Sequence, residues 1–138
     1  RLHQNRFMMA LNQWSPENKG LLQKISGRPS AYWENHYCTL SDRFRGRTVS
    51  SSIKDQEPAK FESRHSVCHS LNSQTIEVRL FQGIFDLTHL RSCIEFTESM
   101  FWYTRECSYR GLSHQFHAKY LDWLQYQPGY VNLKRKLK

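Results

Sequence analysis

The repeat of apolar residues changes its period at Gly83, and this change limits the possible folds more than any other feature of the chain. From Thr75 to Phe81, in "TIEVRLF", apolar and polar residues alternate, which is typical of a β-strand with one face in a core. Beyond Gly83, apolar residues recur every three or four positions, which predicts an amphipathic helix from the N-cap Asp86 to about Ser108. A strand followed by a long helix is therefore the centre of the predicted fold.

Periodicity also predicts which residues of these two elements face the core. The strand residues expected in the core are Ile76, Val78 and Leu80, and those expected on the other face are Thr75, Glu77, Arg79 and Phe81. The helix stripe expected to pack on the rest of the protein is Leu87, Leu90, Ile94, Thr97 and Phe101, widened by Cys93, Phe96, Met100 and Tyr103. The charged residues expected on the opposite side of the helix are Arg91, Glu95, Glu98 and Glu106.

Length and composition limit the class of protein. A chain of 138 residues with 38% hydrophobic and 14% aromatic residues fits one globular domain with one core. No apolar run approaches the roughly 18 residues of a membrane span, and the first residues lack a signal-peptide pattern. Four cysteines without a CxxC pair predict reduced thiols and a cytoplasmic protein. The net charge of +8 favours an anionic partner such as nucleic acid, a nucleotide or an acidic peptide.

The first part of the chain predicts two helices. Apolar residues dominate residues 1–14 without a helix breaker, and a second helix over 16–25 begins after the N-cap Ser15. Gly27 ends the second helix. Because a helical pattern is already under way at Arg1, we expect the chain to be the C-terminal part of a longer protein.

The remaining segments complete the predicted architecture. "HSVCHSL" precedes "TIEVRLF" with the turn-like "NSQ" between them, which predicts an antiparallel hairpin. Residues 42–62 predict a long mobile loop, Ser113 caps a helix that contains "HQFHAKYLDWLQYQ", and residues 130–138 predict a solvated basic tail. The predicted fold class is α+β, a single domain over residues 1–138 in which a short antiparallel sheet packs against several helices.

Glu77 and Arg79 place opposite charges on one face of the predicted strand. Residues two apart on a strand project the same way, roughly 6 to 7 Å apart. A carboxylate for a metal ion and a guanidinium for a phosphate could therefore meet one ligand, and this combination suits ATP with magnesium. The alternative interpretation is a solvated sheet face on which both residues pair with neighbours across the strands.

The segment around this strand resembles a known family. The resemblance lies in "KISGRPSAYWENHYC", "RHSVCH" and "LNSQTIEVRLFQGIFDLTHLRSCIEF", between about Lys24 and Phe96. These segments are similar to the C-terminal half of the amidoligase family, which belongs to the glutamine synthetase-like carboxylate-amine ligases and occurs largely in phages, plasmids, and bacterial or fungal genomes. The matching residues are Gly27, Arg28, Tyr37, Cys38, Arg64, Leu71, Asn72, Thr75, Ile76, Glu77, Arg79, Phe81 and Gly83.

The resemblance implies a fold, a reaction and roles for four residues. It implies part of a glutamine synthetase-like catalytic domain, in which Glu77 is a metal ligand and Arg79 contacts the phosphoryl or carboxylate group. Arg28 and Arg64 are implied contacts to ATP or the acyl phosphate, Arg28 for cofactor binding and Arg64 for catalysis. In the implied reaction, ATP and magnesium activate a carboxylate to an acyl phosphate, which an amine attacks to form an amide in a peptide or cell-wall related substrate.

The chain departs from the family pattern at two points. Glutamine synthetase usually has an arginine two residues before the strand glutamate, and Thr75 stands at that position. The family's N-terminal strands, which hold further metal-binding glutamates, have no counterpart in these 138 residues. We therefore expect the chain on its own to be inactive as a ligase.

Other functions stay open. The net positive charge also fits a small basic nucleic-acid-binding protein of a phage or mobile element, with Lys and Arg clustered on one exposed face. His114 and His117 lie three apart on a predicted helix, a spacing that can chelate zinc. Surface histidines are the favoured interpretation there, because no third ligand is marked nearby in the sequence.

Overall fold

Helices dominate the described part of the chain. The computed structural model describes residues 3, 6, 7, 10, 11, 19–28, 68–72, 75–108, 112 and 116–138. At residues 19 and 68–72 it describes the backbone alone. The elements in chain order are helix α1 (Lys19–Ser26), strands β1 (Cys68–Asn72) and β2 (Thr75–Val78), and helices α2 (Leu87–Glu106), α3 (Phe116–Tyr126) and α4 (Val131–Leu137). The described positions within residues 1–14 also have helical backbone. The helix-rich character of the predicted fold is therefore confirmed.

Some predicted features lie outside the described residues. They are the N-cap Ser15, the loop at 42–62, the candidate Arg64, the cap Ser113, and His114. Within the described ranges, no helix combines the length and the hydrophobicity that a membrane span requires.

The two strands pair antiparallel, with Cys68 opposite Val78 and His69 opposite Glu77. Beyond Val78, where β2 ends, Leu80 is fully buried in the core. The prediction for Phe81 is wrong, because its ring packs edge-on against the buried ring of Phe96 with centroids 6.3 Å apart. The strand is shorter than predicted and the chain bends at Phe81, so the alternation that would turn this side chain outward no longer applies.

Helix α2 starts at the predicted N-cap. The Asp86 carboxylate accepts hydrogen bonds from the backbone N–H groups of Thr88 and His89, at 3.3 Å and 2.8 Å. These bonds satisfy two of the N–H groups that a helix start leaves without an intrahelical partner. The helix then runs for 20 residues to Glu106.

The burial of α2 corrects the predicted faces. Its buried residues are Ser92, Cys93, Phe96, Ser99, Met100, Tyr103 and Thr104. The predicted main stripe faces outward instead, with exposed side chains at Leu87, Leu90, Ile94 and Phe101. Arg91 and Glu98, predicted opposite that stripe, are exposed beside it, because both fall on the outward half of the helix.

Small hydroxyl residues allow the inner face of α2 to pack closely. Ser99 Oγ lies 3.0 Å from the carbonyl oxygen of Phe96 and 2.7 Å from the hydroxyl of Tyr120. Thr104 Oγ1 donates to the carbonyl oxygen of Met100 at 2.8 Å. Because these hydroxyls are hydrogen-bonded, they can be buried without a large desolvation penalty.

One core joins the described elements. It includes the aromatic side chains of α2 and α3, among which Tyr103 lies 5.5 Å from both Phe116 and Tyr120 between ring centroids. From the N-terminal helical segments it includes Phe7, Ala10, Leu11, Leu22 and Ile25. This core holds α1, α2 and α3 together and lies on the inner side of α2.

Residues 131–137 form α4 rather than a solvated tail. Leu133 is fully buried, and Glu95 of α2 accepts hydrogen bonds from Asn132 Nδ2 at 2.6 Å and from the Leu133 backbone N–H at 2.7 Å. A carboxylate at a helix N-terminus is favoured by the helix dipole. The sequence prediction followed the basic residues and gave no weight to the apolar Leu133, which anchors the segment.

Candidate functional site

The structure brings Glu77, Arg79 and Arg28 together at the end of β2. Arg79 Nε lies 2.6 Å from Glu77 Oε1, and the exposed fractions of the two side chains are 37% for Arg79 and 53% for Glu77. The two residues of this pair are two positions apart on one chain segment. Both charged groups are therefore accessible from solvent and adjacent, as a site for a metal–phosphate ligand requires.

Arg28 has a role that the sequence analysis did not predict. Its Nε donates to the carbonyl oxygen of Leu80 at 2.9 Å. Its Nη2 donates to the carbonyl oxygens of Arg79 at 3.0 Å and Phe81 at 2.9 Å. Arg28 thus fixes the backbone on which Arg79 stands, and the rigid fork of a guanidinium suits this task.

The end of α1 is built to bring Arg28 to this position. The Ser26 carbonyl oxygen accepts a hydrogen bond from the backbone N–H of Gln82 at 3.1 Å, and that of Ile25 accepts one from His89 Nε2 at 3.0 Å. These bonds satisfy carbonyls that the last turn of a helix leaves unpaired. They join α1 to the segment after β2 and to the first turn of α2.

Gly27 makes this junction possible. Its φ of 73° lies in the left-handed region, and its N–H donates to the carbonyl oxygen of Gln23 at 2.9 Å, as in a helix C-cap. A Cβ at this position would stand 2.6 Å from His89 Cε1. Glycine at position 27 is therefore required by local geometry, whatever the origin of the resemblance noted in the sequence.

A groove lies on the other side of β2. It has a volume of about 590 Å³, and its lining includes Ile76, Val78, Phe81, Leu90, Ile94 and Phe101. Glu77 projects to the opposite face of the strand, so the charged pair and the groove are separate surfaces. No groove was predicted from the sequence, since periodicity placed both apolar walls in the core, whereas Ile76 and Val78 are only partly buried against it.

The described side chains fit a magnesium ion only in part. Among them there is no group of three or more His, Cys, Asp or Glu residues that could hold a metal. Magnesium is often bound through one or two carboxylates together with substrate phosphates. Glu77 could supply one such carboxylate, and the remaining ligands would come from ATP, from water or from other protein groups.

Burial shifts the pKa values of three titratable side chains in and beside the core. Burial raises the pKa of the Cys93 thiol to about 11 and raises that of the Cys107 thiol. Burial lowers the pKa of His117 to about 4. These thiols stay protonated and this imidazole stays neutral at pH 7, so the structure offers neither a thiolate nucleophile at these two positions nor a charged imidazole at His117.

Comparison of the chain with protein-family models, with curated proteins and with solved structures found no match.

Proposed function

We propose that the chain contributes a metal- and phosphate-binding part of an ATP- and magnesium-dependent carboxylate-amine ligase with a glutamine synthetase-like domain. The observation that supports this most is the adjacent Glu77 carboxylate and Arg79 guanidinium, 2.6 Å apart and exposed at the end of β2. The anchoring of the Arg79 backbone by Arg28 adds support, because a preorganised cation stabilises charge without rearrangement during reaction.

Each residue has a distinct task in this proposal. Glu77 would bind the magnesium ion, which would neutralise charge on the ATP phosphates. Arg79 would contact the transferred phosphoryl group or the carboxylate substrate, and Arg28 would position the backbone at Arg79. Arg64, outside the described residues, is proposed as a further contact to the acyl phosphate on the strength of the family resemblance alone.

The reaction proceeds in two bond-forming steps. A carboxylate oxygen of the substrate attacks the γ-phosphorus of ATP, the bond to ADP breaks, and an acyl phosphate forms. An amine nitrogen then attacks the acyl carbon, phosphate leaves, the nitrogen loses a proton, and an amide results. Both ATP and the acyl phosphate are anionic, which fits the net charge of +8. ATP as cosubstrate implies action in the cytoplasm, with peptide or cell-wall related acids and amines as substrates.

Titration calorimetry with ATP tests the proposal. We expect the chain to bind ATP in the presence of magnesium, and we expect Glu77→Gln to abolish the magnesium dependence. Arg79→Gln should weaken binding on the order of tenfold or more, as expected for loss of a charged phosphate contact. Glu106→Gln removes another exposed carboxylate, at the C-terminal end of α2, and serves as the matched control that should leave binding unchanged. Equal magnesium-dependent binding by the wild type and Glu77→Gln would overturn the assignment of the metal to β2.

A second candidate function is nucleic-acid binding. It is supported by the basic residues of α4 and its C-cap, among which Arg135 in the helix and Lys138 at the C-cap are exposed. Binding of this kind falls steeply with salt, because phosphate contacts release counterions. A strong salt dependence of DNA or RNA affinity, lost in Arg135→Gln with Lys138→Gln and kept in Glu77→Gln, would favour this second function over the ligase.

A further inference from the structure

The outward face of α2 carries an apolar stripe that stays exposed among the residues that the structure describes. We call Leu87, Leu90, Ile94, Thr97 and Phe101 the outer stripe. The exposed fractions of its four large side chains are 59%, 43%, 57% and 39% in chain order. Spacings of three and four residues in alternation are those of the a and d positions of a coiled coil. A contiguous stripe of this kind marks an interaction surface more often than isolated exposed residues do.

A groove lies beside the outer stripe and provides space for side chains of a partner. Leu90, Ile94 and Phe101 form one wall of the groove, and Ile76 and Val78 of β2 belong to its opposite side. A helix that packed along the outer stripe could insert side chains into this space of about 590 Å³. Phe85, fully exposed just before α2, extends the apolar surface at one end.

The charges beside the outer stripe indicate which partner helix packs on it and in which direction. Arg91 and Glu98 are exposed one heptad apart on the same flank, with Ile94 between them. If a second α2 packs antiparallel about a twofold axis near Ile94, Arg91 of each copy lies opposite Glu98 of the other. In a parallel pair, e positions face g positions of the partner, so Arg91 and Glu98, both at e positions, would not meet. The surface is therefore self-complementary in charge in the antiparallel arrangement, as a twofold interface requires.

We propose that two copies of this chain form a twofold-symmetric dimer through antiparallel packing of their outer stripes, with Ile94 near the axis and Arg91 paired with Glu98 of the second copy. The dimer does not depend on the ligase activity proposed above. It explains why a helix with a complete inner core face also carries coiled-coil spacing on its outer face.

Sedimentation velocity over a range of protein concentrations tests the dimer. We expect wild-type chain to shift from monomer to dimer as concentration rises. Ile94→Lys should raise the dissociation constant on the order of tenfold or more, since it places two like charges at the axis. Ile94 is 57% exposed, so the folded monomer should tolerate this change. Tyr126→Lys, at a residue of α3 that is 79% exposed, is the matched control and should leave the dimer unchanged.

Charge exchange tests the direction of packing. Arg91→Glu should weaken the dimer, because two carboxylates would then face each other at each contact. The double variant Arg91→Glu with Glu98→Arg should restore it, because the opposite charges are then exchanged in both copies. A wild-type chain that stays monomeric at all concentrations would overturn the proposal, as would a dimer that Ile94→Lys and Arg91→Glu both leave intact.

Discussion

The two apolar faces of α2 have opposite environments. On the inner face Phe96 and Met100 are 1% and 0% exposed, whereas Ile94 and Phe101 on the outer face are 57% and 39% exposed. Hydrophobicity does not separate the faces, since both present large aliphatic and aromatic side chains. Contacts with the rest of the described chain separate them: on the inner face Phe96 packs on the rings of Phe81 and Tyr120, and Ser99 hydrogen-bonds to Tyr120.

The comparison extends to the arginines at the end of β2. Arg28 is tied to three backbone carbonyls, while Arg79 stands beside Glu77 on the exposed side of the segment. In each region, one of two chemically similar groups holds the fold together, namely the inner face of α2 and Arg28. The other group is exposed, namely the outer stripe and Arg79 with its neighbour Glu77. We assign binding to these two exposed surfaces. Paired substitutions of inner and outer residues test this division.

The largest difference is expected between two phenylalanines of α2. Phe96→Ala should lower the free energy of unfolding by about 3–5 kcal/mol, because it leaves a cavity in the core. Phe101→Ala should lower it by about 1 kcal/mol or less, because Phe101 is partly exposed. Urea unfolding at low protein concentration, where a dimer would dissociate, measures both values. Equal losses for the two variants would contradict the division of α2 into a core face and an outer face.

The next difference is expected between the two arginines. Arg28→Ala should lower the free energy of unfolding by about 2–3 kcal/mol, since three partly buried carbonyls of residues 79–81 lose a charged donor. Arg28→Lys should restore little, because an ammonium group cannot reproduce the planar fork. Arg79→Ala, which removes an exposed ion pair, should change stability by about 0–1 kcal/mol. The same urea titrations report all three, and a larger loss for Arg79→Ala than for Arg28→Ala would reverse our assignment of their roles.

Two glycines of the first described helix should respond in opposite directions. Gly27→Ala should destabilise the fold by about 1–2 kcal/mol, because φ is 73° and the added Cβ would meet His89. Gly20→Ala should stabilise α1 by about 0.5–1 kcal/mol, since a Cβ there has no neighbour within 4 Å and alanine favours the helix. Thermal unfolding followed by circular dichroism would show one transition moving down and the other up. An unchanged or higher transition temperature for Gly27→Ala would contradict the tight junction at Gly27.

The smallest predicted effect concerns pH and the partly buried His117. Burial lowers its pKa in the folded chain to about 4, whereas an unfolded histidine has a pKa of about 6.5. Its contribution to stability is therefore complete above about pH 6.5 and is lost as the pH falls toward 4, because the unfolded chain binds a proton that the folded chain excludes. His117→Gln should flatten the stability profile over this interval. A profile that falls equally in the variant would assign the acid sensitivity to other groups.

The sequence predicted the elements better than it predicted their orientation. Asp86 marked the start of α2, and Gly27 marked the end of α1, because capping depends on local chemistry alone. The burial of α2 could not be predicted, since both faces show a helical repeat and only tertiary packing chooses between them. The helix α4 was missed because one apolar residue, Leu133, outweighs its charged neighbours once Glu95 caps the helix.

The candidate site was predicted only as a set of residue types. Alternation along the strand placed Glu77 and Arg79 on one face, and the structure shows them in contact. The position of Arg28 could not follow from the sequence, because its partners at residues 79–81 are distant in the chain and are backbone atoms.

We propose above that the exposed side of β2 binds a metal–nucleotide complex. Paramagnetic broadening of amide NMR signals by manganese with ATP tests this proposal directly. Manganese accepts the same hard oxygen ligands as magnesium. We expect selective broadening at residues 75–81 in the wild-type chain. This broadening should be lost in Glu77→Gln and kept in Glu106→Gln. Broadening centred on α4, or none at residues 75–81 while ATP and manganese are present in excess, would contradict the claim.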